Sequence, residues 1–526
     1  MVRAVASRVV PRQRISKAMA REAAAETART ERLALNANAP LTVGRVPARA
    51  SDDIGSAGVA LRPMGNSRRV FLLDPHLEAE EFEGLAHRIR ALSKNEGINS
   101  VLIATDDKDD AETGCLPRYL TDLESPDFDG MSLDFDPSPN HTWHVAGGYD
   151  PLKAAGMMSE AGAEDNSVYL LDSIRKLALA TKGVSKKVSK GAEDETRVPV
   201  ITMPHGIVTD AGYALCMGSY VLATRQTSFR ILNPSRGLSL DPVGFSYILP
   251  RLGWEYEQRS SRYPGCGMIL ALCGYEANCF DMVETGLATH LVGGAGQLPY
   301  LEHTLASIPP WNQQKLVKKP RHYYGQQRPR DANAKFRNVT ISYVIEQMSD
   351  YTANAANDLP LDYTATAEDD PALDIDHIPW DSSFFSSELV DIAAHYDKIF
   401  KQEGTLEGLI ERLREAGSKQ SDDPDEKEGI RVANELVERM TSQSPLALRV
   451  THQLMKMGGG RLATMDNCMD REAKAQNKLF GRSDFAEWAK HVQKHGGEES
   501  KAPAFKGWQH ENVAAVSAEE VDEILS

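Results

Sequence analysis

The segment Trp143-His144-Val145-Ala146-Gly147-Gly148-Tyr149-Asp150 has the composition that a backbone anion site needs. Small residues after an extended stretch let the chain turn with its N–H groups exposed, which is how a developing oxyanion is stabilised. The same residues also suit an ordinary Gly-Gly turn, so the segment gains weight only from residues far downstream of it. These are Pro204-His205-Gly206, the run Phe229 to Leu238 containing Asn233 and Gly237, then Asp241, Gly244 and Leu249-Pro250-Arg251-Leu252. Other chemistries fit poorly. Pro299 and Leu270 stand where the glycine pairs Gly294/Gly296 and Gly265/Gly267 would need the third glycine of a dinucleotide fingerprint. His141 and His144 have no third metal ligand at a sensible spacing, and no CxxC pair occurs among the six cysteines. Gly458-Gly459-Gly460 reads as a flexible connector between helices.

The elements that must position these residues are set by periodicity. Val70 to Leu73 predicts a short buried strand, Leu77 to Leu92 a helix, and Ser100 to Ala104 a second strand. That order implies a parallel pair with a right-handed crossover. Val198 to Met203 resumes the strand pattern, Ala211 to Leu222 reads as helical, and Gly286 to Val292 as a helix exit into a strand. From Trp380 the chain reads as all-helical: Glu388–Phe400, Leu406–Ala416, Lys427–Met440, Pro445–Met457, Asp470–Lys494 and a capped helix after Ser517. The expected domains are a lead-in over 1–67, an α/β core over 68–298, an irregular insertion over 299–379 and a helical domain over 380–526. An acidic insertion interrupts the core at about 105–142, where Asp, Pro, Gly and Ser break the rhythm.

Of the 526 residues, 59 are Lys or Arg and 75 are Asp or Glu, so the net charge of −16 excludes a uniformly basic nucleic-acid binder. A local basic patch remains open. Lys315, Lys318, Lys319, Arg321, Tyr323, Tyr324, Arg328, Arg330, Lys335 and Arg337 mix cations with aromatic rings. They could neutralise phosphates and stack on unpaired bases, or form an ordinary solvated loop. No uncharged run is long and apolar enough for a bilayer helix, and six cysteines in so long a chain point to a reducing compartment rather than a disulfide framework. The first nineteen residues carry Arg3, Arg8, Arg12, Arg14 and Lys17 and no acid. This is the composition of a mitochondrial transit peptide, the alternative being a disordered basic tail. The expected location is the mitochondrial matrix.

Taken together, Ala146-Gly147-Gly148 with Asp150, His205-Gly206-Ile207, the Phe229 segment ending Gly237-Leu238, Leu249 to Leu252, and Gly286-Leu-Ala-Thr-His290 resemble the crotonase (enoyl-CoA hydratase/isomerase) superfamily. Ser444-Pro445 through Leu454, and Gly481 through Glu487, resemble its 3-hydroxyisobutyryl-CoA hydrolase group. The resemblance covers roughly residues 68–526. It implies a core of repeated ββα units wound as a spiral with a C-terminal helical region, no cofactor, and an acyl-CoA as substrate or ligand. It also implies two backbone donors for the thioester oxygen, at Gly148 and Ala211, and a glutamate–aspartate pair for attack on the carbonyl. The aspartate is kept as Asp241, whereas the catalytic glutamate falls on Asn233 and a second family glutamate on Val168. Asp210, beside Ala211, adds charge that opposes an oxyanion. Trp488 and Lys490 stand where the family has Gly and Arg. An amide can act neither as general base nor as nucleophile, so the resemblance carries two expectations. One is a catalytically degenerate member, such as those recruited to the small subunit of mitochondrial ribosomes, with ribosomal RNA and small-subunit proteins as partners. The other is an active acyl-CoA hydrolase of valine catabolism working from Asp241.

Overall fold

The computed structural model describes residues 59–72, 76–95, 97–105, 148–158, 163–182, 198–204, 206–224, 227–255, 260–261, 264–292, 297–310, 341, 344–345, 349–352, 387–396, 399–400 and 404–526. The chain divides after Ala50, and every described residue belongs to the second unit, Ser51–Ser526. Residues 1–58, residues 106–147 with nearly all of the expected acidic insertion and with His141, His144, Ala146 and Gly147, also His205, and the basic stretch from Lys315 to Arg337 lie outside the described residues.

Strands β1 (Val59–Met64), β2 (Ser67–Leu72), β3 (Val101–Thr105) and β4 (Val200–Met203) lead the main sheet. After the short β5 (Ile207–Thr209) come β6 (Tyr220–Ala223), β7 (Ser228–Arg230), the pair β8 (Trp254–Glu255) and β9 (Ser260–Ser261), β10 (His290–Val292) and β11 (Ser349–Thr352). Seven strands form one sheet in the order β1-β2-β3-β4-β6-β10-β11, antiparallel at its two edges and parallel within, while β5 and β7 pair in parallel beside it. Order begins earlier than the hydrophobic patterning predicts, because β1 hairpins onto β2 through Gly65, whose φ is +53°.

The parallel strands read as continuous apolar runs because both faces of the sheet are covered. Val101 and Ile103 of β3 join one core cluster, while Leu102 between them joins a second on the opposite face with Ile201, Met203 and Leu222. Helices α1 (Ala79–Leu92), α2 (Pro151–Met157) and α3 (Ala163–Lys182) precede β4. They are followed by α4 (Phe245–Ile248), α5 (Pro264–Cys273), α6 (Cys279–Thr285) and α7 (Gln297–Ser307). The segment 211–222 is not the helix its apolar run suggests: it is a 3-10 turn, Asp210–Cys216, then β6. Short apolar runs do not distinguish the two states. Here Gly218 breaks the run where a β-carbon would lie 2.6 Å from the Val200 carbonyl oxygen.

The C-terminal third forms α8 (Glu388–His395), α9 (Leu406–Gly417), α10 (Pro424–Thr441), α11 (Pro445–Gly459), α12 (Met465–Phe480), α13 (Ser483–Lys494) and α14 (Ala518–Leu525). Ser387, Thr405, Ser444, Thr464 and Ser517 each cap a following helix, their side chains accepting a free backbone N–H of the first turn. The long helix expected over 470–494 is two, separated at Gly481-Arg482. Gly458 and Gly459 are likewise no loose connector but the last turn of α11. A β-carbon on Gly458 would stand 1.9 Å from the Ser246 carbonyl oxygen, so glycine lets α11 close onto α4. Gly458→Ala should therefore destabilise the protein by about 1–3 kcal/mol through forced separation of the two backbones, read as a lower urea midpoint at unchanged slope.

Candidate active site

Four segments remote in sequence meet behind the sheet, and their glycines make the meeting possible. Gly148 has φ +77°, and a β-carbon there would lie 3.1 Å from both Ala211 Cβ and the Gly212 nitrogen. The two donor positions expected from the resemblance are thus brought together. The Ala211 N–H lies in the first turn of a 3-10 helix, where no preceding carbonyl is in place to accept it. Asn233 opens the next turn, Asn233–Arg236, which ends on Gly237 at φ +82°. A β-carbon on Gly237 would press to 2.9 Å on Asp484 and Phe485 at the start of α13. The C-terminal motifs clamp this turn: Ser444 donates its N–H to the Pro234 carbonyl (3.1 Å) and its hydroxyl to Asp484 (2.6 Å).

Asp241 is fully buried. Its Oδ1 accepts from Gln476 Nε2 at 2.9 Å and from the Tyr149 hydroxyl at 3.4 Å, while its Oδ2 has no hydrogen-bond partner among the described residues. Gln476 is fixed in turn by the Ser239 N–H, which donates to its Oε1 at 2.8 Å. Asn233 is buried and close enough to lower the Asp241 pKa, yet neither of its amide atoms completes a well-formed hydrogen bond. Three buried polar atoms, Asn233 Nδ2 and Oδ1 and Asp241 Oδ2, therefore lack a well-formed hydrogen bond among the described residues. Tyr149, the residue after the donor position, is only 5% exposed and packs edge-on against Phe480, so its ring covers Asp241.

Burial first, and then the negative charge of Asp210, push the Asp241 carboxyl up to about 7, against the pull of Asn233, Gln476 and Arg236. Glu472, one helical turn before Gln476 on α12, is also pushed up to about 7 by burial while accepting the Gly244 and Ser246 N–H groups at 2.8 and 2.6 Å. An unfolded chain releases the Asp241 proton near pH 3.9, whereas the folded chain holds it to about 7. Stability therefore falls as pH rises across that window. Asp241→Asn removes this contribution, so the variant's stability relative to wild type should rise by about 2–3 kcal/mol between pH 5 and pH 8.5, measured by urea denaturation at both pH values.

Asp210 corrects one expectation. It is the one non-glycine residue among those described with positive φ, +42°, a strained conformation. That geometry turns its carboxylate away from a free position: Oδ1 accepts the N–H groups of Leu232 (2.9 Å) and Asn233 (3.2 Å), and Oδ2 accepts from Arg236 Nη1 (3.0 Å). Arg236 continues to Glu499 at 2.8 Å. The charge of Asp210 is paired rather than aimed at an oxyanion, and its remaining influence is on Asp241. Val168 corrects another, being 51% exposed on the outer face of α3. Ser167 faces inward instead and hydrogen-bonds Asn477 of α12. Trp488 is buried beneath Arg236 and stacked on Phe485, whereas Lys490 is exposed and pairs with Glu487. Gln476, Glu472 and Arg236 were not singled out in the sequence. The signal for the first two was there: polar residues at 472 and 476 share the buried stripe of Cys468, Met469, Ala475 and Leu479. Among the described residues no group of three His, Cys, Asp or Glu could hold a metal ion.

A parallel ββα-type sheet with paired backbone donors beside a buried aspartate, closed by a C-terminal helical layer, defines the crotonase class. The family model described as enoyl-CoA hydratase/isomerase matches residues 194–359 and 374–525, and the chain belongs to that family. Two solved structures share the fold. One is a carnitinyl-CoA dehydratase from Mycobacterium thermoresistibile: TM-score 0.57, 15% identity, covering 90% of this chain and 97% of that one. The other is an enoyl-CoA hydratase from Rhodobacter sphaeroides 2.4.1: TM-score 0.54, 16% identity, covering 89% and 97%. By sequence, the chain is 33% identical over 111 residues to a mitochondrial 3-hydroxyisobutyryl-CoA hydrolase of Gallus gallus. That match covers 21% of this chain and spans about a quarter (26%) of the relative's length.

Proposed function

We propose that this protein is a crotonase-fold member that has lost thioester hydrolysis and serves as a structural component of the mitochondrial small ribosomal subunit. The observation that carries the first half is Asn233 at the position of the family's catalytic glutamate, beside an aspartate sealed under Tyr149 and Gln476. An amide supplies no base and no nucleophile. The acid-free, arginine-rich first nineteen residues and the basic–aromatic stretch from Lys315 to Arg337 support the second half, as does the mitochondrial location of the chicken relative. The partners are ribosomal RNA and neighbouring small-subunit proteins, and the acyl-CoA site is a relic. Sedimentation of the endogenous protein from a mitochondrial lysate tests it. The protein should travel with the small subunit and move to the top of the gradient after RNase; a protein at the top in both samples removes the ribosomal role.

A second reading has its own observation. Asp241, with a pKa of about 7, lies near the paired Gly148 and Ala211 backbones, as a general acid–base working at neutral pH would. It describes an active acyl-CoA thioester hydrolase. On that reading Asp241→Ala abolishes a measurable turnover of 3-hydroxyisobutyryl-CoA; on the first there is no turnover to lose.

A further inference from the structure

The surface around α13 and the chain that returns along it carries a row of rings and four exposed lysines. Gly496 and Gly497, at φ +100° and +79°, reverse the chain after α13. The Gln509 N–H then ties the returning segment to Asp484 at 2.7 Å, and the Trp508 indole donates to the Ser442 carbonyl at 3.2 Å. Between these anchors four rings form a continuous row. His495 lies 4.4 Å from His491, His491 lies 5.3 Å from Phe505, and Phe505 lies 4.6 Å from Trp508, centroid to centroid. None of the four is buried. Their orientations are fixed in advance, because His491 Nε2 donates to the Pro503 carbonyl and His495 Nδ1 to the His491 carbonyl, both at 2.8 Å.

Around the row stand Lys490, Lys494, Lys501 and Lys506, all exposed. Lys490 and Lys501 pair with Glu487 and Glu498, whereas Lys494 and Lys506 enter no ion pair among the described residues. Of the other acids on these segments, Asp484 is buried and Glu499 is turned inward to Arg236, while Glu511 is exposed. Partly exposed rings resting on the core can take up unpaired bases on their open sides, and unpaired ammonium groups beside them suit a phosphate backbone. A duplex would present phosphates but no free base faces, so the ring row selects single strands. Held rings also lose little freedom on binding.

We propose that this face, α13 together with residues 496–508, binds single-stranded RNA, with bases stacked on the His491–Phe505–Trp508 row and phosphates held by Lys494 and Lys506. It rests on the RNA-associated role proposed for the protein but names residues other than those of the Lys315–Arg337 stretch.

The test uses the purified full chain and a labelled mixed-sequence oligoribonucleotide, followed by fluorescence anisotropy at several salt concentrations. Lys494→Glu with Lys506→Glu should lower the slope of log affinity against log salt by about 1.4, the value for two single-strand phosphate contacts. Phe505→Leu keeps apolar volume and removes the ring, and should weaken binding about tenfold. Circular dichroism of both variants should match wild type. Wild-type binding that neither variant alters overturns the proposal, as does a polyglutamate peptide that binds this face more tightly than RNA. If both variants lose affinity while the endogenous protein stays at the top of the gradient, the surface stands and the ribosomal role falls. If the protein sediments with the subunit but neither variant matters, the role stands and this surface falls.

Discussion

Wild-type protein given 3-hydroxyisobutyryl-CoA should release coenzyme A no faster than buffer alone, and Asn233→Glu combined with Tyr149→Ala should raise the rate about 10²–10⁴-fold, the usual contribution of a general base. Both changes are needed for separate physical reasons. The resemblance assigns the family's carboxylate to the turn that Asn233 opens, and both amide atoms of Asn233 lack a well-formed hydrogen bond among the described residues. Tyr149 fills the approach to Asp241, with its hydroxyl 3.4 Å from Oδ1. Asn233→Glu alone would place a second carboxyl beside a buried acid already pushed up to about 7, and the two would share a proton rather than ionise together. A stopped assay following free thiol checks the rate. If wild type already turns over as a competent hydrolase and the double variant gains nothing, the loss of chemistry inferred from Asn233 is wrong.

Arg236→Ala should be the most destabilising single substitution near the site, by about 3–5 kcal/mol. The guanidinium is 7% exposed and lies between two carboxylates, of which Asp210 is 3% exposed. Removing it leaves Asp210 charged, buried and held at a strained φ by the Leu232 and Asn233 N–H groups. It also frees the Glu499 turn and uncovers Trp488. Asp210→Asn/Arg236→Met should recover most of the loss, because a buried pair replaced by neutral groups of similar size is often tolerated. By contrast Lys490→Ala, which breaks a pair 69% and 52% exposed, should change stability by no more than about 1 kcal/mol. Urea midpoints of the four proteins, at matched slopes, decide the order.

How far the sequence could be read depended on where each residue's position is set. Gly148, Ala211, Asn233 and Asp241 sit in turns whose geometry is local, with Gly148, Asp210, Gly237 and Gly244 at positive φ in or next to those turns, and so their motifs are legible in one dimension. Val168 sits on a helix, where a displacement of one residue rotates a side chain by about 100°. A motif placed there by counting lands on the solvent face while Ser167 takes the inner one. Asp210 shows a different limit: its type announces a charge, but only the fold shows that Arg236 neutralises it. The crotonase class was legible from motif order. The register of β1 on β2 and the split between α12 and α13 were not, because sheet pairing and a break at Gly481-Arg482 rest on contacts rather than on periodicity.

The contact between Asp241 and Gln476 spans 235 residues, and that between Gly244 and Glu472 spans 228. During synthesis at about 5–20 residues per second, the aspartate waits tens of seconds before α12 exists. Until α12 docks, each acid sits in water once it is made and is ionised at neutral pH. Once α12 docks, burial raises both carboxyls to about 7. Closing the helical layer thus takes up protons. The docked state should therefore be favoured in mildly acidic solution over alkaline, docking acting as a proton-consuming latch.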